Sequence, residues 1–429
     1  MTALFDYQWK GVDHLCKNQR ALLLDGMGLG KTAQSITAFD RIGAKNVLII
    51  CPPSTKYGWA DEVRKWSKRE YDIIVLSKMM HRIDSTNKPT VIICPYSLLS
   101  SPMIVDQLKG RKWSCLIVDE IHYCKSTKAN RSKVVLGRGG LVSKAVYAWG
   151  LSGTPMTTAP KDLWPVFRSM GKEHLPKEAQ DYNGYHRVFC NMRKTRFGWD
   201  ISGAKNLHIL KQCLYDYGFA LRRTKEQVLD QMPDKTYRLT PMEGANRADI
   251  RWGERLKVQV HTPGMDAGEL AEARRELADE KLPAVMEYLG DLTEPTVIFC
   301  WHKHVVEHIC DGLGGVPYYG DMTAKEKEQS KKDFESGKSK FFVANISSAG
   351  TGLNGLQHVS SHAVFVECPW NYSDIEQAAD RLHRIGQKDN VLVDLLVLKG
   401  GIEEYILKTV LKKQNFFRTA IDSSAKRID

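Results

Sequence analysis

Short apolar runs, each closed by a turn signal or a helical pattern, recur along the first third of the chain, at residues 21–24, 47–51, 73–76, 91–94, 116–118 and 145–151. Continuous aliphatic and β-branched runs of this length mark strands buried on both faces, as in parallel sheets. Strands alternating with helical patterns predict a doubly wound α/β domain. The second half repeats the style at residues 296–300, 341–344, 363–367 and 391–398. Two α/β domains of similar build are the economical reading.

Between the halves the pattern changes. Aromatic and basic residues mix over 182–199, and a long helical pattern runs from Glu269 to Leu289. Pro283 is expected to start a second helix or kink the first, because proline lacks the N–H that a helix interior uses. The predicted organisation is a first domain over 1–158, helical insertions and a linker over 159–289, and a second domain with a C-terminal brace helix over 290–429. Residues 4–12 predict a short helix entering the first strand. At the other end Ile402, Ile406, Leu407, Val410 and Leu411 form one stripe at helical spacing, read as core packing.

Composition narrows the class. The 429 residues, 42% hydrophobic and 26% charged, suffice for two or three domains with proper cores. A net charge of +12 and a pI near 9.1 point to a polyanionic partner, nucleic acid first. The ten cysteines are scattered with no C-x-x-C pair, so neither structural zinc nor a disulfide framework is indicated. Cysteines inside apolar runs fit a reducing compartment. The N-terminal MTALFDYQWKGV lacks a signal-peptide core, and no apolar run approaches the ~18 residues of a membrane span. The expectation is a soluble intracellular protein with no membrane partner.

The chemistry starts at DGMGLGKT, Asp25 to Thr32, set between an apolar run and a helical pattern. Strand, glycine-rich turn and helix start form a phosphate-binding loop. Glycines such as Gly28 and Gly30 let backbone N–H groups curl around phosphate oxygens, and the helix N-terminus adds partial positive charge. Lys31 is expected to reach the β- and γ-phosphates and the Thr32 hydroxyl to serve Mg²⁺. The common pattern G-x-x-x-x-G-K-S/T has glycine where this chain has Asp25. Leu116-Ile117-Val118-Asp119-Glu120-Ile121-His122 is an apolar strand ending in two carboxylates. Asp119 suits Mg²⁺ and Glu120 suits the attacking water.

Ser152 and Thr154, in Ser152-Gly153-Thr154-Pro155, are short hydroxyl donors suited to sensing those carboxylates and the γ-phosphate, although SGTP alone is compatible with a plain turn. Ser347-Ser348-Ala349-Gly350-Thr351-Gly352-Leu353-Asn354 is small and polar after a strand, as a loop contacting a backbone needs. Further on, Arg381 and Arg384 stand three apart. On a helix they share a face, and planar guanidinium forks suit phosphate.

In this order the motifs resemble the Swi/Snf-like branch of superfamily-two helicases over nearly the whole chain. DGMGLGKT matches that branch's P-loop, where Asp25 is expected, with Gly26 in place of a usual Glu. DEIH at Asp119–His122 is its DExH form and SGTP its third motif. Leu221-Arg222-Arg223-Thr224-Lys225, then Val228 and Pro233-Asp234-Lys235, resembles the branch's signature after the first helical insertion. CPWNYSDIEQAADRLHRIGQ, residues 368–387, is the most specific match. Within the branch, Phe189-Cys190, Phe197-Gly198-Trp199-Asp200 and Gly203-Ala204-Lys205-Asn206-Leu207 are similar to the annealing-helicase, fork-remodelling subgroup.

The resemblance implies two RecA-like doubly wound parallel-sheet domains, ATP and Mg²⁺ as cofactors, and double-stranded DNA, forked or branched DNA included, as partner. It implies that ATP sits between the domains, with Arg381 and Arg384 completing the site. Gln8, in Tyr7-Gln8, would read adenine, and Gly352 would lie on the nucleotide side. Ser152, Thr154 and Gln377 would couple the site to movement. Trp301, Lys303, Ser348, Gly350, Thr351 and Trp370 would line the nucleic-acid track. The activity implied is DNA-stimulated ATP hydrolysis driving a monomeric motor along duplex DNA, in a bacterial or phage-infected cytoplasm or in a eukaryotic nucleus. Three alternatives stay open: a strand-separating helicase, a partner-activated motor subunit, and a DNA-binding scaffold with a silent ATPase.

Two weaker constellations remain. Cys300, His302, His304 and His308 suggest a metal site, but a full ligand set is missing and a surface helix is the simpler reading. Tyr182, Tyr185, His186, Arg187, Arg193, Lys194, Arg196, Phe197 and Trp199 either touch nucleic acid or form the core of a helical insertion.

Overall fold

The computed structural model describes residues 3–79, 81–83, 88–156, 159–195, 198–201, 203–228, 233–244, 247–261, 266–349 and 355–410. They form two compact units, one within Met1–Asp230 and one within Gln231–Asn415.

The first unit is built on β1 (Arg20–Leu23), β2 (Asn46–Cys51), β3 (Asp72–Val75), β4 (Thr90–Pro95), β5 (Trp113–Asp119) and β6 (Ala145–Leu151). A short antiparallel hairpin follows, β7 (Arg193–Thr195) and β8 (Gly198–Asp200), and then β9 (Ala220–Leu221). The seven-stranded sheet runs β3-β4-β2-β5-β6-β1-β9 with every pairing parallel. Alternate side chains enter two cores. Leu22, Leu48, Ile50, Leu116 and Val118 face one layer; Leu23, Val47, Ile49, Ile117 and Trp149 face the other, under α1 (Asp6–Lys17), α2 (Lys31–Arg41) and α3 (Lys56–Trp66). Burial on both faces is why these strands read as unbroken apolar runs.

The strand order positions the site. β5, β6 and β1 are neighbours, and Asp119 pairs with Leu151 while Leu23 pairs with the same residue. The loops after these three strands therefore leave one carboxyl edge at one level, the place where open α/β sheets bind ligands.

The second unit holds β10 (Lys235–Met242), β11 (Thr296–Cys300), β12 (Val316–Tyr318), β13 (Phe341–Asn345), β14 (His362–Phe365) and β15 (Val391–Leu398), in the order β10-β15-β14-β11-β13-β12, all parallel. β11 lies between β13 and β14, so the loops after these three strands also share an edge. Ile402, Ile406, Leu407 and Val410, on a helix over 402–410, are buried in this unit's core, as the stripe predicts; Leu411 lies outside the described residues.

A single helix, Ala267–Asp291, passes through Pro283, so no second helix begins there. Proline forfeits one backbone hydrogen bond, while Lys281, Leu282, Val285 and Leu289 stay buried on either side. The aromatic cluster divides. Tyr185 and Phe189 are fully buried with Trp164 and Phe167 nearby, and the Tyr185 hydroxyl donates to Pro160 O at 2.8 Å. Tyr182, Arg187, Arg193 and Lys194 are exposed. Arg196 and Phe197 lie outside the described residues, as does the side chain of Trp199. Among the described residues no helix is long and apolar enough to cross a membrane.

Candidate nucleotide and nucleic-acid site

The loop after β1 turns through Gly28 and Gly30, whose φ of 78° and 75° lie in the left-handed region that glycine tolerates, and α2 starts at Lys31. A Cβ at Gly30 would stand 2.3 Å from Gln8 Nε2. Gln8 is seated on this loop: its amide donates to Leu29 O at 3.2 Å and its oxygen accepts from Phe5 N at 3.0 Å. The Tyr7 hydroxyl donates to the same Leu29 carbonyl at 3.3 Å. Lys31 Nζ donates to Asp25 O at 2.8 Å and Gly26 O at 3.2 Å. Burial lowers the Lys31 pKa, against the pull of Glu120, Asp25 and Asp119. A Cβ at Gly26 meets nothing nearer than 3.5 Å, so a side chain fits there sterically.

Asp119 closes β5, and Glu120 follows with φ 47° and ψ 56°. A non-glycine residue held there costs of order 1–3 kcal/mol and marks a position that its surroundings enforce. Asp119 Oδ2 accepts from Trp59 Nε1 at 2.8 Å and Oδ1 from Glu120 N at 3.1 Å. Burial first, then the Glu120 charge, push Asp119 up to about 7. Burial works against Glu120 as well. There the hydrogen bond and charge of His122, with Lys31 and Ser152, win and hold the pKa below the usual carboxylate range.

His122 Nδ1 lies 3.2 Å from Glu120 Oε2 and 3.0 Å from Ser152 Oγ. Ser152 Oγ donates to Glu120 Oε2 at 3.2 Å and accepts from Thr154 N at 3.0 Å. The Thr154 hydroxyl is buried without a hydrogen-bond partner among the described residues. Lys31, Asp119, Glu120 and Ser152 thus converge: one carboxylate ionised, its neighbour driven toward the neutral form where added positive charge is favourable.

In the second unit the loops after β11 and β14 are tied together. The buried Glu367 carboxylate accepts from Trp301 N at 2.8 Å, His302 N at 2.9 Å and His302 Nδ1 at 2.5 Å. The Arg274 guanidinium lies between two rings, 4.5 Å from the Trp301 centroid and 4.2 Å from that of Trp370. Lys303 opens the next helix with an exposed side chain 3.7 Å from Glu307 and 3.6 Å from Asp321. Ser348 is half-buried in the short helix Ile346–Ala349 after β13. Gly350, Thr351 and Gly352 lie outside the described residues. His304 meets Asp279 at 2.8 Å, so both it and His302 pair with carboxylates.

Arg381 and Arg384 do not share a helix face. The helix Tyr372–Ala379, which carries a half-buried Gln377, ends before them. The chain then turns, with Arg381 N donating to Ala378 O and Arg384 N to Leu382 O. The turn is pinned from within. Gln387 Nε2 donates to Ser360 O at 2.9 Å and Leu382 O at 3.2 Å, His383 Nε2 to Pro233 O at 2.8 Å, and Gly386 adopts φ 98°. Both arginines are half-buried. Asp380 and Glu376 each accept from Lys235 Nζ at 2.9 Å.

Sequence reasoning missed several residues of these sites. Trp59 carries no motif signal; it sits in an amphipathic helix like any core tryptophan. Arg274 and Glu367 are likewise silent in sequence. Arg223, which grips Asp25, was inside a signature whose task the residues alone did not disclose.

The SNF2-related domain family matches residues 7–247, and the helicase conserved C-terminal domain matches residues 280–386. The chain belongs to the SNF2-related family, in agreement with the Swi/Snf-like resemblance. It is 29% identical over 439 residues to the SWI/SNF-related matrix-associated actin-dependent regulator of chromatin subfamily A-like protein 1 of Xenopus tropicalis, covering 96% of this chain and 44% of that protein. It is 29% identical over 460 residues to the DNA annealing helicase and endonuclease ZRANB3 of Homo sapiens, covering 99% and 41%. The chain thus spans less than half the length of these curated relatives. A solved structure, the Sulfolobus solfataricus SWI2/SNF2 ATPase core in complex with dsDNA, is 21% identical with a TM-score of 0.45, covering 99% of this chain and 98% of that one.

Proposed function

We propose that the chain is an ATP-driven translocase on double-stranded DNA, acting on forked or branched substrates as a monomeric motor. The observation that carries the reading is the convergence of Lys31, Asp119, Glu120 and Ser152 at the carboxyl edge of β1, β5 and β6 in a chain of this family. The names of the relatives, a DNA annealing helicase and a regulator of chromatin, support DNA as the partner, and the charge of +12 suits a polyanion.

Gln8, seated on the P-loop carbonyl of Leu29, reads adenine. The glycines of the loop and Lys31 hold the phosphates. Thr32 and Asp119 would hold Mg²⁺, whose charge offsets that of the phosphates when bound; an oxygen donor set and a buried carboxylate short of positive charge fit such an ion. Glu120, kept ionised by His122, Lys31 and Ser152, orients the attacking water and takes its proton. Arg381 and Arg384 supply charge to the transferring phosphoryl group. Ser152, Thr154 and Gln377 relay the state of the γ-phosphate, with Gly352 on the nucleotide side. Trp301, Lys303, Ser348, Gly350, Thr351 and Trp370 follow the DNA mainly through its backbone, so binding tolerates sequence and weakens steeply with salt.

The test is steady-state ATP hydrolysis without nucleic acid and then with blunt duplex, forked DNA, single-stranded DNA and RNA. Strong stimulation by duplex, or most by forks, is expected. Stimulation by single strands or RNA alone would indicate a strand-separating helicase. Silence with every ligand would indicate a partner-activated subunit or a silent scaffold.

A further inference from the structure

The signature around Arg222, Arg223 and Lys235 has no part in the chemistry above, yet both of its ends are anchored on it. In the first unit β9 adds Ala220 and Leu221 to the sheet beside Leu22 and Leu23 of β1. Arg222 Nη1 then donates to Leu24 O at 2.6 Å and to Gly153 O at 3.1 Å, joining the end of β1 to the turn that bears Ser152 and Thr154. Gly26 N donates to Arg223 O at 2.8 Å.

The Arg223 side chain is buried on Asp25, which is fully buried. Its Nε and backbone N donate to Asp25 Oδ1 at 2.9 and 3.1 Å, and Nη2 donates to Asp25 Oδ2 and, at 2.9 Å, to Gln34 Oε1. Its Nη1 donates to the backbone carbonyl of Tyr7. One guanidinium therefore ties the P-loop, α2 and the segment bearing Gln8 into one body. A forked charge-assisted contact of this kind fixes orientation as well as distance.

The chain enters the second unit after Asp230. There Pro233 O accepts from His383, and Lys235 Nζ bridges Glu376 and Asp380. Burial disfavours the Lys235 charge, but the two carboxylates overcome it and raise its pKa. Asp380 and His383 flank Arg381, and Arg384 follows at once.

We propose that Arg222 and Arg223 are positioning residues for the P-loop and that Lys235 is the positioning residue for the turn bearing Arg381 and Arg384. The passage of the chain from one unit to the other is thereby anchored on both parts of the nucleotide chemistry. The inference rests on the ATP-hydrolysis reading and adds to it which residues set the two parts.

The test uses the full chain with four variants: Arg223→Met, Arg223→Met with Asp25→Asn, Lys235→Met and Lys235→Arg. Melting temperature, affinity for a fluorescent ADP analogue, and kcat at saturating duplex DNA are read for each. Arg223→Met alone leaves a buried carboxylate unpaired and lowers the melting temperature. Adding Asp25→Asn is expected to restore melting while ADP affinity stays weaker by about tenfold or more, since small misplacements of a binding group are costly. Lys235→Met is expected to lower kcat about tenfold or more with ADP affinity within about twofold, and Lys235→Arg to restore it. The proposal is overturned if ADP affinity returns together with melting in the double variant. It is equally overturned if Lys235→Met loses ADP affinity and turnover only in proportion to its melting loss. A wild-type chain that binds ADP but never hydrolyses ATP would overturn the functional reading and the role of Lys235, while the Arg223 comparison still decides its own part.

Discussion

The Trp59 indole N–H donates to Asp119 Oδ2 at 2.8 Å, and the tryptophan that holds it there is only 3% exposed. The ring is packed in the core under α3, so the donor cannot swing away. With Glu120 N on the other oxygen, both edges of the carboxylate are oriented by groups that the sequence does not advertise. Trp59→Phe keeps the ring and removes the N–H. Partners that orient a metal-binding group typically matter by about 10–100-fold in metal affinity or activity. The Mg²⁺ concentration for half-maximal ATP hydrolysis is expected to rise by about that range, with melting nearly unchanged. A variant with the wild-type Mg²⁺ requirement would show that Asp119 needs no such partner.

Glu120 and Arg384 separate chemistry from binding. Glu120→Gln keeps the shape that Ser152 and His122 grip but takes away the proton acceptor. Turnover should fall by at least about a hundredfold while ATP still binds. Arg384→Ala should reduce kcat by as much as about 10³-fold or more with little change in duplex affinity. Hydrolysis at the wild-type rate with saturating DNA would remove Arg384 from the mechanism.

How far the sequence carried this site depends on how local each signal is. The strands of both sheets were legible because burial on two faces leaves runs such as 47–51 and 297–300 wholly apolar. β9 and β12 were not, being two and three residues long. β10 was hidden for another reason: as an edge strand it mixes half-buried and exposed residues and tolerates Pro241. Lys31, Asp119 and Glu120 were readable because loop, strand end and spacing are chain-local. Arg381 and Arg384 were singled out by type and spacing and expected on one helix face, but contacts with Ser360 and Pro233, far along the chain, make that stretch turn. Trp59, Arg274 and Glu367 act through tertiary contacts alone, and a helical tryptophan or a strand-end glutamate looks the same with or without them.

The Arg274 sandwich gives a prediction for the nucleic-acid side. Stacking a guanidinium between two rings contributes about 0.5–2 kcal/mol per contact and holds Trp301 and Trp370 at a fixed separation. Arg274→Ala should free both rings, shift the intrinsic tryptophan emission to longer wavelength, and weaken duplex binding several-fold without altering ADP affinity. Duplex affinity equal to wild type in the presence of the emission shift would mean that the two tryptophans do not touch DNA.

Acid should loosen the first unit through His14. This residue lies on α1, the helix that also carries Tyr7 and Gln8, and its Nε2 donates to Leu22 O at 3.2 Å. Burial pulls its pKa down to about 4, against the carbonyl's pull in the other direction. The unfolded chain titrates near the ordinary value of about 6.5. Between those values the unfolded state binds the proton and the folded state does not, so stability is complete above about pH 6.5 and drains as pH falls toward 4. The loss amounts to roughly 3 kcal/mol at most. Carboxylates titrate over part of the same range, so the measurement is a difference. Urea unfolding of the first unit's transition is followed from pH 7 to 4.5 in wild type and in His14→Gln, whose amide still offers Leu22 a donor. The wild type should lose stability faster than the variant below about pH 6.5. Parallel slopes would place the acid sensitivity elsewhere.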